Sequence, residues 1–274
     1  MADKLTPVGF TEGHIPVTGG TLHYVAGGEG DRTIVLLHKL GGWTSEWRWI
    51  MPILGTRMRT IAVDLTGHGA STMRGDPPFI VTQEEMSAQL MSMLDTLGEG
   101  QVVMAGSSMG GCVAMLCGAF WPERVSAVIT VGSAIAGSAD RSGLKAAAEK
   151  AIADGLFDEN EAPLPRDPSY MEQAFGMKDP AHMNEMTLSR KAAGRWIQPS
   201  ARGVGVFDYL AILPRVTSPV LMLDGGRGAY GRFVADAVAL LPDGRGGTIE
   251  DASAFPHQDK PEETAVAMME FLGV

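Results

Sequence analysis

The stretch QVVMAGSSMGGCVAMLCGAF, residues 101 to 120, decides the fold. Val102 to Gly106 form a continuous apolar run, as in a strand buried on both faces. Residues 109–120 are apolar almost all round, which predicts a buried helix. Between them, Gly106-x-Ser108-x-Gly110 falls at the strand-to-helix junction. A sharp turn there pushes the Ser108 side chain out above the sheet, and the flanking glycines leave room for a strained backbone. The helix N-terminus then points free amides at developing negative charge. A G-x-S-x-G recurs by chance, and a plain tight turn is the alternative; in this setting Ser108 is the candidate nucleophile.

Similar runs recur on both sides: TIVLLH (33–38), TIAVDL (60–65), RVSAVITVG (124–132) and PVLMLDG (219–225). Helical patterns lie between them, at Glu84 to Leu97 and at Pro261 to Phe271, the latter with proline and acidic residues in its first turn. HIPVTGGTLHYVAGG (14–28) reads as a hairpin around Gly19-Gly20. The alternation predicts an α/β fold, a mostly parallel twisted sheet flanked by helices. Residues 134–214 break the rhythm. Rich in alanine, methionine and charge, they predict a helical cap inserted into a core made of residues 1–133 and 215–274.

The 274 residues are 45% hydrophobic, enough for a full core, and carry a net charge of −10. That acidity argues against nucleic acid or an anionic membrane as partner, and leaves a small molecule. Cys112 and Cys117 stand five apart on the predicted helix, point to different faces and are expected to be free thiols in a reducing, cytoplasmic setting. The N-terminus has no apolar run of a signal peptide, and no stretch is long enough to span a membrane. No C-x-x-C or H-E-x-x-H occurs, and the Gly-x-Gly patterns lack a dinucleotide context, so neither metal nor cofactor is expected.

With these motifs, the chain resembles the α/β-hydrolase superfamily over nearly its whole length. VLLHKLGG (35–42) looks like that family's oxyanion loop, DLTGHGAST (64–72) like its D-x-x-G-x-G-x-S segment, and FPHQDKPEE (255–263) like the approach to its final helix. The match is to small capped hydrolases of esters, lactones and the carbon–carbon bonds of diketones. The resemblance implies that Ser108 attacks an acyl carbon, with the amides of Leu40 and Met109 as oxyanion hole. A histidine would take the serine proton and a carboxylate would orient that histidine.

Three positions depart from the family pattern. Lys39 replaces a common glycine in the oxyanion loop; its ammonium is expected at the solvent edge or in the cleft, against an anionic substrate. The orienting acid falls on Gly228, which leaves Asp224 as the nearest carboxylate. The histidine position holds Ala254, which cannot accept a proton. Of the six histidines, His257 is the nearest replacement, His38 opens the oxyanion loop, His182 lies in the cap, and His14, His23 and His68 lie elsewhere. Trp43, Trp47 and Trp49 follow the loop; Trp43 is the candidate pocket wall, against simple packing. Tyr230, Arg227 and Arg232 are read as surface residues or contacts for a polar substrate end. The expectation is a hydrolase of a small, largely apolar ester, lactone or activated carbon–carbon bond, with Ala254 in the histidine position, as in an inactivated variant. The alternatives are a cofactor-free lyase, isomerase or decarboxylase in the same cleft, or a ligand-binding pseudoenzyme.

Overall fold

The computed structural model describes residues 6–274. Nine strands form one sheet: β1 (Thr11–Val17), β2 (Gly20–Gly27), β3 (Thr33–Leu37), β4 (Arg59–Asp64), β5 (Thr72–Met73), β6 (Val102–Ser107), β7 (Val125–Val131), β8 (Val220–Gly225) and β9 (Gly244–Ile249). The order is β1-β2-β4-β3-β6-β7-β8-β9, with β5 beside β2. β1 and β2 form the expected hairpin and pair antiparallel with each other and with β4. From β4 to β9 every pairing is parallel.

The helices are α1 (Ile50–Leu54), α2 (Gln83–Thr96), α3 (Met109–Phe120), α4 (Arg141–Ala153), α5 (Pro168–Phe175), α6 (Pro180–Ala193), α7 (Ile197–Val206), α8 (Val234–Leu240), α9 (Pro256–Asp259) and α10 (Pro261–Leu272). Every residue of β3 and β6 is buried. Their side chains alternate between two cores: Val35 and Leu37 pack with residues of α2 and α3, while Ile34 and Leu36 pack with Trp47, α1 and α10. Local chemistry sets the helix starts. Thr82 and Glu85 form a capping box at α2. Asp167-Pro168 and Asp179-Pro180 put an aspartate cap and a first-turn proline at α5 and α6.

Helices α4 to α7 fall between β7 and β8, within the segment whose rhythm breaks. The sequence pattern missed β9: GRGGTI has no apolar run, because an edge strand mostly exposed to water needs none. Ser45 does not cap a helix; it lies inside a short 3₁₀ turn, Thr44–Trp47, that precedes α1. Cys112 and Cys117 are free and buried, and burial pushes both thiols up to about 12. Among the described residues no helix is long and apolar enough to cross a membrane.

Candidate active site

β6 ends at Ser107 and α3 begins at Met109, so Ser108 must turn the chain. It does so at φ 50°, ψ −113°, a conformation a residue with a Cβ rarely adopts. Such a backbone costs of order 1–3 kcal/mol, and strain of this kind clusters at functional sites. The glycines make room: a Cβ on Gly106 would lie 2.2 Å from the Gly110 backbone, and one on Gly110 would lie 2.4 Å from Leu37 O. The Ser108 amide is spent on Val131 O at 3.0 Å. Among the described residues, the amides of Met109 and Leu40 donate to no backbone carbonyl outside regular elements. Met109 follows the serine turn directly, and Leu40 lies two residues past His38, whose carbonyl would meet a Cβ on Gly110 at 2.8 Å.

The oxyanion loop is wired from beneath. His38 is buried; its Nδ1–H donates to Lys39 O at 2.7 Å and its Nε2 accepts from the Leu65 amide at 2.9 Å. Both ring nitrogens are used, so His38 fixes the loop and has nothing to offer a substrate. Lys39 reaches neither solvent nor cleft. Its ammonium is buried, 2.5 Å from Glu46 Oε2 and 3.2 Å from Gln258 Oε1. The Glu46 carboxylate also accepts from the Lys39 amide at 2.9 Å. Burial pushes Glu46 up, but Lys39 and then His257 outweigh it and hold its pKa at about 2.

His257 completes this cluster. Its ring is fully buried, stacked on Trp47 at 4.3 Å, with Nε2 3.5 Å from Glu46. Three residues past Ala254, the short helix α9 has turned its side chain toward Trp47 and Glu46 rather than toward Ser108. Burial, first of all, lowers its pKa. His182 is also engaged, with Nδ1 3.1 Å from Asp259.

Ala254 faces no open gap. It is fully buried among Met171, Met177, Met183, Met186 and Phe255, and its amide donates to Phe175 O at 2.8 Å. The acid position is equally closed: a Cβ on Gly228 would lie 2.9 Å from Ala254 Cα. Asp224, at the end of β8, is buried with Oδ1 unpartnered, and burial pushes its carboxyl up against backbone N–H bonds from Gly225 and Gly231.

The group beside Ser108 is one the sequence left at the surface. The Tyr230 phenol lies close enough to the Ser108 hydroxyl to interact with it. Burial raises the Tyr230 pKa, partly opposed by the charge of Arg166 and by the Ser108 hydroxyl. Asp224 is close enough to act on the same phenol.

The inserted helices are tied to the core nearby. Trp43 is nearly buried and donates its Nε1–H to Glu185 of α6 at 3.0 Å; Arg48 reaches the same carboxylate at 2.6 Å. Trp43 is thus a tether from core to cap. A cavity of about 240 Å³ lies between the cap helices and Leu40, and Arg166, Arg190, Arg202 and Gln198 line it. Nothing in residue spacing singled out Arg166, Arg190 or Gln198. Among the described residues no cluster of three or more His, Cys, Asp or Glu could hold a metal.

Residues 34–267 match the model of the alpha/beta hydrolase family. A pimeloyl-[acyl-carrier protein] methyl ester esterase of Edwardsiella ictaluri is 29% identical over 254 residues, 89% of this chain and 94% of that protein. A dihydrolipoyllysine-residue acetyltransferase component of an acetoin cleaving system from Pseudomonas putida is 37% identical over 116 residues. That match spans 41% of this chain but only 30% of the relative. Among solved structures, an enol-lactonase from Burkholderia xenovorans superimposes with a TM-score of 0.79 at 20% identity, over 96% of this chain and 100% of that one. With the parallel sheet, the serine turn and this family match in place, the chain belongs to the α/β-hydrolase family.

Proposed function

We propose that the cleft beside Ser108 hydrolyses a small ester or lactone, with Ser108 as nucleophile and the Leu40 and Met109 amides receiving the oxyanion. The observation that carries this reading is the strained Ser108 backbone at φ 50°, held where a helix N-terminus and the oxyanion loop converge. The esterase and enol-lactonase among its relatives fit the same chemistry. Each oxyanion donor is worth about 2.7–4 kcal/mol in the transition state. The serine proton has no histidine to receive it here. Tyr230 is the hydroxyl that lies near it, and the Asp224 carboxylate acts on that phenol. A neutral tyrosine is a weak base, so turnover is expected to be slow and to favour activated esters.

A fluorophosphonate probe and p-nitrophenyl esters test this reading. Ser108 is expected to be labelled, and Ser108→Ala to abolish both labelling and esterase activity. Absence of labelling in the intact chain ends the nucleophile assignment.

One observation favours a second reading. A tyrosine lies near Ser108, and the histidine and acid positions are closed. Two hydroxyls facing a bound substrate suit a cofactor-free lyase, isomerase or decarboxylase that forms no acyl-enzyme. In that case activity on the true substrate survives Ser108→Ala and falls with Tyr230→Phe.

A further inference from the structure

Three arginines line the cavity between the cap helices and Leu40, and they are not alike. Arg202 is neutralised by Glu161, which accepts two parallel bonds at 2.8 Å each. Arg166 and Arg190 have no carboxylate within 4.0 Å among the described residues. Arg190 is only 3% exposed, yet its Nε and Nη2 have no hydrogen-bond partner; Arg166 Nε is likewise unpartnered, as is Nε2 of the buried Gln198. Four buried donor atoms therefore line one cavity with no acceptor.

These side chains are held in place without being satisfied. Arg190 lies over the Phe157 ring at 5.1 Å, and Arg166 over Tyr170 and Phe175 at 5.4 Å each. Aromatic faces fix a planar guanidinium while leaving its N–H edge free. Burial, and then the like charge of Arg166, push Arg190 down to about 9, still charged at neutral pH. A buried charge beside a half-buried one of like sign, both without counter-ions, is costly unless an anion completes them.

The cavity reaches the loop that carries the Leu40 amide. A Cβ on Gly41, next to Leu40, would lie 2.9 Å from Arg190 Cγ. The Arg166 charge acts on the Tyr230 phenol near Ser108, and Arg166 also lines a second opening of about 290 Å³ between α5 and α6.

We infer that Arg166, Arg190 and Gln198 form a subsite for a carboxylate, so that the substrate of the Ser108 cleft is an acid that carries its reacting ester or lactone at the other end. This rests on the cleft beside Ser108 being the substrate site. It narrows the expected largely apolar substrate to one with an anionic end, which the apolar cap methionines alone did not suggest.

The test is calorimetric titration of the intact chain with monomethyl and dimethyl esters of succinate, glutarate and adipate. At one chain length the monoester is expected to bind at least tenfold more tightly than its diester. Arg190→Met and Arg166→Gln should each remove most of that preference and leave diester affinity within about twofold. Equal affinities at all three lengths, or a preference that survives both substitutions, overturn the inference. Arg190→Met should fold at least as stably as the parent, because it removes an unpaired buried charge; a clearly lowered melting temperature would make Arg190 structural and also overturn it. Fluorophosphonate labelling separates this from the hydrolase reading. If Ser108 is labelled and no monoester binds or protects, the subsite falls and the nucleophile stands. If monoesters bind through the arginines and Ser108 is never labelled, the subsite stands and the nucleophile falls.

Discussion

At Ala254 the difference between a vacancy and a repacked position can be measured. Had an imidazole simply been removed, a hole would remain beside Ser108. Instead Ala254 is fully buried, in one apolar cluster with four methionines of the inserted helices and Phe255, and Tyr230 lies near the serine hydroxyl. Ala254→His is therefore expected to overpack the site, at a cost of about 1–3 kcal/mol, and to raise esterase activity little. Denaturant melts and p-nitrophenyl acetate kinetics check both; a gain of orders of magnitude would mean that the methionines yield and a carboxylate lies in reach. Glu46 makes a second prediction at this scale. Its carboxyl is held at about 2, below its ordinary value of 4.5, so its charge contributes stability that is complete above pH 4.5. That contribution is lost as pH falls through about 2. Glu46→Gln leaves the Lys39 ammonium buried without its anion, and should cost about 3–5 kcal/mol at neutral pH. It should also flatten the loss of stability between about pH 4.5 and 2, read from urea midpoints. An unchanged slope would show that Glu46 is not the group responsible.

At the scale of elements, the cap is joined to the core by a few polar clasps and by the methionine cluster. Glu185 of α6 holds both Trp43 and Arg48, and His182 of α6 meets Asp259 of α9. Glu185→Ala removes two largely buried bonds, one of them to a charged group, worth about 1–3 kcal/mol together. Its effect should be local: faster hydrogen exchange along α6, with protection in β3 and β6 unchanged. Equal loss of protection in all three would show that cap and core open as one unit. The elements were unevenly legible in the sequence. β3, β6 and α3 were plain, because burial on both faces demands unbroken apolar runs. β9 was invisible, because its pairing with β8 supplies what its glycines lack. Ser108 was legible because its strained turn requires glycine on both sides. Tyr230, Arg166 and Arg190 were not, since only tertiary distances show which charged or phenolic group meets the serine and which arginine has no partner. Lys39 was misread for the same reason: Glu46, seven residues on, folds back beneath the loop to bury it.

Across the whole molecule, the net charge of −10 and the two unpaired guanidiniums act in opposite directions on an anionic substrate. The acidic surface repels an approaching carboxylate over a Debye length, which shrinks from about 30 Å at 0.01 M salt to about 8 Å at 0.15 M. The arginines act only once the ligand has entered a buried cavity, where screening is weak. Added salt should therefore speed association by a few-fold and leave dissociation nearly constant, the reverse of steering by an oppositely charged surface. Stopped-flow binding of the tightest monoester between 10 and 150 mM sodium chloride reads both rates. Should association instead slow with salt, the field of Arg166 and Arg190 reaches solvent through the opening between α5 and α6 and dominates the approach. A salt-independent association rate would leave the two fields balanced at the cavity mouth, and the acidic surface would then have no kinetic role.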